Sequence, residues 1–451
     1  MELNERESAI PQALDHALSQ YAFRDYTAIG RVVKRFAHKA VVLLSVLTDG
    51  RPAPMAIKEG VTENYALCRE HVGLGDLIAV RGEYVAGRGG RMELLIRELR
   101  IVKKCELPAT QTGLLPEGRY SGAKARQYYH TLMATDETCT LLLEARSGML
   151  HALQETLDTE GYIQCTTPVL QHSHFAGGSR PFITHMLDNH ADMYLRVTSE
   201  IALKLLVAGG LTRVYEIGNS FRNGSVDATH DAPFMGAEIY RAYCSEPEHR
   251  DTATLLLQRV QQAVEPVFRK YGRRPKLDFC KGIPSMTFEE YIRSRGYPSF
   301  RLGDHRTYPV LPELGGYTGD EASDARLLYK WFKEHIIRDQ LAPVYITDQP
   351  SGISPLIARK GPGTLHRTYL VANGATLMEI AQSETSSEKV LHELMLQQER
   401  KGENAYPCDY SALLHAYRLG IPPMCSLFIG VDRLIPAMLG AESIHSYRMY
   451  M

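Results

Sequence analysis

Short β-prone segments separated by turn residues fill the first part of the chain. Five of them follow one another between residues 26 and 107: AIGRVVKRF, AVVLLSVLTDG, PAPMAIKEG, DLIAVRGEYVAG and RMELLIRELRIV. A Gly-Arg-Gly-Gly run at residues 87–90 marks a hairpin turn between the last two segments. Together with a helical stretch near residues 61–72, the five strands predict a small closed barrel.

One hairpin of this barrel carries basic residues around an aromatic ring. Arg31, Lys34, Arg35 and Lys39 lie on the first hairpin, with Phe36 among them. Basic groups interleaved with an aromatic residue are typical of oligonucleotide-binding (OB) barrels that contact single-stranded nucleic acid. The same residues also fit a solvated barrel face, and both interpretations stay open.

Helical and hairpin patterns follow one another irregularly in the rest of the chain. Apolar residues recur at helical spacing in residues 145–160, and RTYLVANGATLMEIAQSE predicts two strands about an Asn-Gly turn. SLFIGVDRLIPAML predicts a strand that runs into a helix. Because regular strand–helix alternation and a phosphate-binding Gly-x-x-x-x-Gly-Lys-Ser/Thr loop are both missing from the sequence, the pattern predicts an α+β fold.

These patterns divide the chain into four segments. We expect an N-terminal helical extension in residues 1–25, the OB-type barrel in residues 26–107 and a polar linker in residues 108–140. The α+β domain fills residues 141–451. A chain of 451 residues is long enough for two or three domains.

Composition places the protein among soluble intracellular ones. The formal net charge is -1, so nucleic-acid binding would need a local basic patch. The eight cysteines include no Cys-x-x-Cys pair, which disfavours structural zinc and a disulfide framework. The sequence has neither a hydrophobic signal core at its N-terminus nor a long apolar run. We therefore expect a cytoplasmic protein with no membrane segment.

One hairpin of the α+β domain gathers residues with recognisable chemistry. In YEIGNSFRNGSVDATHDAPFMGAEIY, residues 215–240, two β-prone segments flank a polar loop that contains Arg222 and His230. The return strand ends with Glu238 and Tyr240, which project from the same face because they are two residues apart. An arginine beside an acidic, tyrosine-bearing surface is suited to holding a phosphate or carboxylate near an ammonium group.

Several segments together resemble the class II aminoacyl-tRNA synthetases, most closely the bacterial lysyl-tRNA synthetases. GYIQCTTPVL resembles the first motif of this family, RVYEIGNSFRN through AEIY the second and PPMCSLFIGVDR the third. AGGSRPFITH and DMYLRVTSEIALKLLVAGG are similar to stretches around its amino-acid pocket. The resemblance covers nearly the whole chain. It implies an antiparallel sheet flanked by helices, a homodimer through residues 161–170, ATP and Mg²⁺ as cofactors, and a lysine-like amino acid with tRNA or another molecule as acceptor.

The resemblance assigns a role to individual residues of this chain. Arg222 matches the arginine that bridges the substrate carboxylate and the α-phosphate, and Arg433 the one that holds the nucleotide from the other side. The resemblance also implies that Phe234 stacks under the adenine of the nucleotide and that His230 matches the histidine of the same loop. The amino acid would contact Gly177, Gly178, Glu200, Glu238 and Tyr240.

The nucleotide half of the site departs from the family pattern. Gly224 stands where the family has a glutamate, and Thr229 where it usually has an arginine that reaches the γ-phosphate. In the third motif, Ser426 and Phe428 replace glycines. The phenyl ring of Phe428 could fill the place of the nucleotide.

The metal-binding half depends on the register of one hairpin. Without gaps, the positions of the family's metal-binding glutamates are Tyr369 and Thr376, whereas a shift would place Glu379 at one of them. The glutamate that contacts the lysine ε-ammonium likewise becomes Ser383 or, with a shift, Glu384. The sequence leaves both registers open.

Three functions are compatible with these residues. The first is a paralogue that activates a cationic or related amino acid by adenylation, outside ordinary translation. The second is a pseudo-synthetase that binds an amino acid or RNA and acts as a regulator. The third is an enzyme that uses the pocket for a different reaction. We favour the first because both motif arginines are retained. The aliphatic KAVVLLSVLTDG stretch predicts weakened anticodon recognition by the barrel.

Overall fold

A computed structural model describes most of the chain, which divides into two compact units after Leu143. The described residues are 26–48, 50–87, 92–106, 137–174, 179–188, 190–308, 320–352, 354–401 and 408–447. The predicted N-terminal extension and nearly all of the predicted linker lie outside these ranges.

The first unit is a closed five-stranded barrel, as the strand pattern predicts. Its strands are β1 (Ala28–His38), β2 (Val41–Thr48), β3 (Arg51–Lys58), β4 (Leu77–Ala86) and β5 (Met92–Lys103), in the order β1-β2-β3-β5-β4 with β4 closing onto β1. A short helix, α1 (Tyr65–His71), precedes β4. Alternate residues of the strands fill the interior, among them Val32, Leu44 and Ile57, all of them buried.

The predicted basic cluster of the barrel is only partly available to a ligand. The Arg31 guanidinium donates to the Gly75 carbonyl at 2.7 Å, and that of Arg35 donates to the Arg69 carbonyl. Phe36, in contrast, is 63% exposed. Weakened anticodon recognition therefore stays a prediction.

The second unit contains eight helices in its described part, counting the helix that begins before the unit boundary. They are α2 (Glu137–Thr159), α3 (Glu200–Ala208), α4 (Glu246–Lys270), α5 (Phe288–Ser294), α6 (Glu321–Trp331), α7 (Ser387–Lys401), α8 (Ser411–Gly420) and α9 (Val431–Leu439). Helix α4 begins with a complete capping box between Ser245 and Glu248. In the described ranges, no helix is both long and apolar enough to span a membrane.

Eight strands form the main sheet of this unit, in the order β12-β13-β16-β17-β18-β11-β10-β6. They are β6 (Ile163–Gln164), β10 (Arg213–Phe221), β11 (Pro233–Ala242), β12 (Ser285–Thr287), β13 (Val344–Thr347), β16 (Arg367–Ala372), β17 (Ala375–Gln382) and β18 (Met424–Gly430). The six inner strands pair antiparallel, whereas β6 and β12 pair parallel at the two edges. The predicted α+β architecture is confirmed, with a mixed rather than wholly antiparallel sheet.

Two smaller sheets complete the described part. One contains β7 (Leu170–Gln171), β9 (Ala191–Leu195) and β8 (Ile183–Met186), and the other contains β14 (Arg359–Gly361) and β15 (Thr364–Leu365). The segment GYIQCTTPVL contains little regular strand. Strand β6 has two residues, and Thr167 instead bonds through its side chain to Glu216 at 2.6 Å.

The segment around β6 and β7 presents an apolar surface, which bears on the predicted homodimer. Ile163, Val169, Leu170, Ile183 and Leu187 are all exposed. Apolar patches of this kind are typical of permanent subunit interfaces. We define these five side chains as the apolar edge, and dimerisation through it stays a prediction.

Replacing Leu170 with aspartate is expected to weaken the homodimer at least about tenfold, because a desolvated charge would lie in the interface. Light scattering over a range of micromolar concentrations measures this. Leu419→Asp, at an exposed leucine of α8, is the matched control and is expected to leave the dimer intact. A parent protein that is monomeric throughout this range would contradict the prediction.

Candidate functional site

Two rows of side chains on one face of the main sheet form the floor of the candidate site. Residues opposite one another in antiparallel strands point to the same face. The first row, from β11 to β16, is Glu238, Phe428, Glu379 and Tyr369. The second row, one step further along β11, is Tyr240, Ser426, Ala381 and Arg367. The chain therefore brings residues from four strands, far apart in sequence, to one surface.

Arg222 follows the last residue of β10, at the rim of this surface. Its backbone N–H donates to the Ala232 carbonyl at 2.9 Å and so extends the β10–β11 ladder by one step. The guanidinium lies over the Phe234 ring, 4.9 Å from its centre, and its Nε is 3.4 Å from the Val197 carbonyl. Among the described residues, no carboxylate lies within ion-pair distance of it.

The surroundings of Arg222 are acidic but leave its guanidinium accessible. The side chain is exposed to solvent, although protein atoms on several sides desolvate it and lower its pKa. Glu238, Glu379 and Glu200 oppose this shift of the pKa. Since none of them pairs with it directly, the planar fork remains free to bind an oxyanion with two parallel hydrogen bonds.

Helix α3 supplies a carboxylate and an ammonium one turn apart. Glu200 lies in the first turn, where the helix dipole favours an acid. Lys204 Nζ lies 2.8 Å from Glu200 Oε1, and the lysine is 1% exposed. Burial opposes the charged ammonium, but Glu200, Tyr417 and Glu238 outweigh it and raise the pKa of Lys204. We did not identify Lys204 from the sequence, although the Glu-x-x-x-Lys spacing of an i,i+4 helical pair was visible there.

Glu238 is the most buried carboxylate of the floor. Its Oε1 accepts a hydrogen bond from the Thr198 hydroxyl at 2.6 Å and another from the Ser199 N–H at 3.2 Å. Desolvation nevertheless raises the pKa of Glu238 to about 7. Tyr240 lies on the same face, and burial followed by the nearby carboxylates raises its pKa well above the usual value. Glu200, Glu238 and Tyr240 thus lie near one another, since both carboxylates act on the pKa of Tyr240, and their binding of an ammonium group stays a prediction.

The neighbouring Glu216 belongs to a separate buried cluster. Its Oε1 lies 2.5 Å from Arg196 Nη1, which also donates to the Thr167 hydroxyl at 2.8 Å. A Cβ atom at Gly218 would lie 2.5 Å from Arg196 Nη2, so a glycine makes room for this guanidinium. The cluster fixes the β10 backbone that leads to Arg222.

The end of the surface that the resemblance assigns to the nucleotide is crowded. The Phe428 ring lies against Gly236, where an added Cβ would be 2.4 Å from the ring, and it meets the Phe234 ring edge-on with 6.4 Å between centres. Arg433 donates from Nε and Nη2 to the Thr229 carbonyl at 3.1 and 3.0 Å. Its Nη1 donates to the Thr376 carbonyl at 2.8 Å. The guanidinium of Arg433, the arginine of the third motif, thus already donates to backbone carbonyls.

The remaining loop residue, His230, packs on its own loop. Its Nδ1 lies 2.9 Å from a carboxylate oxygen of Asp227. The pKa of Asp227 falls to about 2, since hydrogen bonds from Thr229 and His230 outweigh the effect of burial. Burial is the largest influence on His230 and lowers its pKa. Gly177 and Gly178 lie outside the described residues.

Comparison with known proteins identifies the family. A family model described as class II tRNA synthetases (D, K and N) matches residues 123–451. The chain belongs to the class II tRNA synthetases of the D, K and N type. It is similar to the lysine–tRNA ligase of Thermoanaerobacter pseudethanolicus, with 28% identity over 437 residues, 94% of this chain and 86% of the ligase.

A second group of relatives of this class II synthetase bears a different name. The lysylphosphatidylglycerol biosynthesis bifunctional protein LysX of Mycolicibacterium vanbaalenii is 32% identical over 386 residues, 82% of this chain. The LysX protein of Mycolicibacterium gilvum is 31% identical over 402 residues, 85% of this chain. The match spans only 34% and 35% of these two proteins, about a third of their length.

Class II synthetases generally use ATP with Mg²⁺, but the described residues of this one do not fit a magnesium ion. Glu379 Oε2 lies 2.8 Å from Arg367 Nη2, so a guanidinium already neutralises the carboxylate predicted as a metal ligand. Of the two positions aligned with the family's metal-binding glutamates, Tyr369 lies directly opposite Glu379, and the Thr376 carbonyl accepts a hydrogen bond from Arg433. Within the described ranges, no cluster of three His, Cys, Asp or Glu side chains is suited to a metal.

The hairpin register also determines where Glu384 lies. Ala372 pairs with Ala375 across the Asn-Gly turn, and Ser383 is buried after the end of β17. The Glu384 carboxylate accepts from the N–H groups of Thr385 and Ser386 at 2.9 and 3.0 Å, just before α7. Glu384 also lines a separate pocket of about 240 Å³, together with Gly352, Ser354, Pro355, Ile357, Arg359, Leu365, Lys389, His392 and Glu393. The Glu384 carboxylate is therefore already hydrogen-bonded to the backbone before α7, and its contact with the substrate stays a prediction.

We expect the protein without nucleotide to bind no divalent cation at this site, because the Arg367 guanidinium occupies Glu379. Titration with Mn²⁺ followed by electron paramagnetic resonance measures this directly. Arg367→Met is expected to create weak binding by freeing the carboxylate, whereas Arg359→Met, outside the site, is the matched control. Saturable Mn²⁺ binding by the parent that disappears in Glu379→Gln would contradict this expectation.

Proposed function

We propose that this class II synthetase-like protein binds a cationic amino acid, or one of related shape, and activates its carboxylate for transfer outside ordinary translation. The observation that carries the proposal is the free guanidinium of Arg222 beside the carboxylates of Glu200 and Glu238. This arrangement matches the two charges that every α-amino acid has in common.

The chain's own groups define how an amino acid would be held. The Arg222 fork binds the α-carboxylate through two charge-assisted hydrogen bonds, and Glu200 with Glu238 binds the α-ammonium. ATP, when bound, supplies the α-phosphate at which the carboxylate is activated. Arg222 would be placed to stabilise the negative charge that develops between carboxylate and phosphate oxygens. By the family resemblance, Phe234 and His230 would contact the base of ATP, and Arg433 would hold the nucleotide from the other side.

The names of the relatives point to more than one kind of acceptor. LysX is named for lysylphosphatidylglycerol biosynthesis, and the ligases are named for tRNA. The departures at Gly224, Thr229 and Phe428 support a divergent role. We propose a cytoplasmic homodimer whose acceptor is a tRNA or a smaller molecule.

A second candidate function is supported by the crowded nucleotide end. Phe428 lies against Gly236 and Arg433 binds backbone carbonyls, an arrangement that would suit an amino-acid-binding regulator without adenylation. ATP affinity of the parent and of Phe428→Gly separates the two functions. Ordinary ATP binding by the parent, unchanged in Phe428→Gly, favours the ligase. ATP binding that appears only in the variant favours the regulator.

Amino-acid affinity is expected to increase as the pH rises through about 7, the pKa of Glu238, because an ammonium is bound by the carboxylate form. The raised pKa also means that this group stabilises the ligand-free fold most at low pH, and that this contribution is lost as the pH rises through the same value. Calorimetry at several pH values measures the change of amino-acid affinity with pH. Glu238→Gln should remove the increase in affinity near pH 7. An increase that persists in this variant would contradict its assignment to Glu238.

A further inference from the structure

The charges around the amino-acid site are almost completely paired before any substrate binds. Glu200 has the ammonium of Lys204 at 2.8 Å, and Glu379 has the guanidinium of Arg367 at 2.8 Å. Lys204 is almost completely buried, and the Arg367 side chain is 12% exposed. Neither cation can therefore turn away into solvent. Both acids lie within electrostatic range of Arg222.

The α-carboxylate and α-ammonium groups of a substrate would pair with the two charged groups of the site that have no counter-ion. Arg222 is the cation free to bind a carboxylate, and Glu238 is the floor carboxylate that has only hydroxyl and N–H partners among the described residues. A zwitterionic amino acid placed between them leaves the site balanced. A second positive charge on the substrate would find no unpaired carboxylate among these floor and helix residues, and Glu384 is already bound by two N–H groups and lies 3.6 Å from Lys389 Nζ.

The order of residues along β11 shows what the side chain of such a substrate meets. Arg222 lies beside the start of the strand, Glu238 further along it and Tyr240 one step beyond. A substrate bound by Arg222 and Glu238 therefore extends toward the second row. There, the small residues Ser426 and Ala381 lie between Tyr240 and Arg367.

This second row offers hydroxyl groups and a cation, but no acid. Tyr240 provides a hydroxyl, the Ser426 hydroxyl donates to the Ala381 carbonyl at 3.3 Å, and Arg367 provides the guanidinium whose Nη2 is bound to Glu379. The Nε of Arg367 is buried and has no acceptor among the described residues. An uncharged acceptor such as a carbonyl oxygen complements these donors, whereas an ammonium or guanidinium would face a like charge.

We infer that the substrate's side chain ends in an uncharged hydrogen-bonding group, such as an amide or urea, and that Arg367 determines this choice. The inference rests on the proposed function, since it concerns the side chain of the same amino acid. Among amino acids shaped like lysine or arginine, Arg367 would favour those whose side chain ends in an uncharged group.

Citrulline and arginine provide the sharpest comparison, because they share length and shape and differ in the charge of the terminal group. Calorimetry on the full chain is expected to show citrulline bound about tenfold or more tightly than arginine, with glutamine preferred over lysine in the same direction. Tighter binding of arginine and lysine would overturn the inference while leaving the proposed function intact. Binding of none of the four, nor of any other natural amino acid, would overturn both.

Two variants test the role of Arg367 itself. Arg367→Leu is expected to reverse the preference by freeing Glu379, whereas Arg367→Lys keeps the charge and should keep the preference for citrulline. Since Arg367→Leu also removes a buried ion pair, Ser383→Glu is a second test that adds an acid beyond the second row and should improve lysine binding about tenfold. A citrulline-to-arginine ratio unchanged in both Arg367→Leu and Ser383→Glu would show that Arg367 has only a structural role.

Discussion

Replacing Arg222 with alanine is expected to weaken amino-acid binding roughly 100-fold or more, because a guanidinium fork makes two charge-assisted hydrogen bonds of about 1.5–3 kcal/mol each. Arg222→Lys keeps the charge but loses the planar fork, so an intermediate loss is expected. Calorimetry with the best natural amino acid measures both. The thermal midpoint should hardly change, since Arg222 is exposed and has no ion-pair partner among the described residues.

Arg274→Ala is a suitable control for this experiment, because Arg274 is exposed and distant in sequence from the hairpin. It should leave affinity unchanged. Amino-acid binding that survives Arg222→Ala at parental strength would contradict the role of this guanidinium. A large drop in thermal stability would instead indicate that Arg222 has a structural role.

Glu216→Ala is expected to lower the free energy of unfolding by about 3–5 kcal/mol, because it leaves the Arg196 guanidinium buried without its counter-ion. Arg196 and Glu216 are 3% and 5% exposed, and Thr167 completes their hydrogen bonds. Urea unfolding followed by circular dichroism measures the change. The ion pair supports the β10 backbone, so amino-acid binding should weaken as well.

A double variant separates the cost of an unpaired charge from the value of the pair. Arg196→Met combined with Glu216→Leu replaces both charges with apolar groups of similar size, and most of the stability should return. If the double variant is no more stable than Glu216→Ala, the buried charge is not the cause of the loss.

The local parts of the fold were predictable because their signals are local. Alternating residues and turn dipeptides predicted the barrel strands and the hairpin of β16 and β17, whose Asn373 adopts the positive φ that its turn requires. The Arg222 hairpin was predicted for the same reason. The two-residue length of β6 was not, because Thr167 turns toward a partner 49 residues away.

The charge pairing of the site could not be predicted, because it depends on strand register and on contacts between distant segments. Glu379 could be considered a metal ligand in the sequence, and only the pairing of β16 with β17 shows Arg367 beside it. Glu384 likewise could be a substrate contact, and only the structure shows its carboxylate accepting from the N–H groups of Thr385 and Ser386, before α7 begins. Lys204 was visible as a helical i,i+4 partner of Glu200, but only its burial gives it significance.

Amino-acid-dependent exchange of labelled pyrophosphate into ATP, measured across all natural amino acids and citrulline, tests the proposed activation most directly. The proposed function predicts exchange with one amino acid or a small related set, and its disappearance in Arg222→Ala. Absence of exchange with every amino acid, in a protein that still binds one of them by calorimetry, would contradict carboxylate activation.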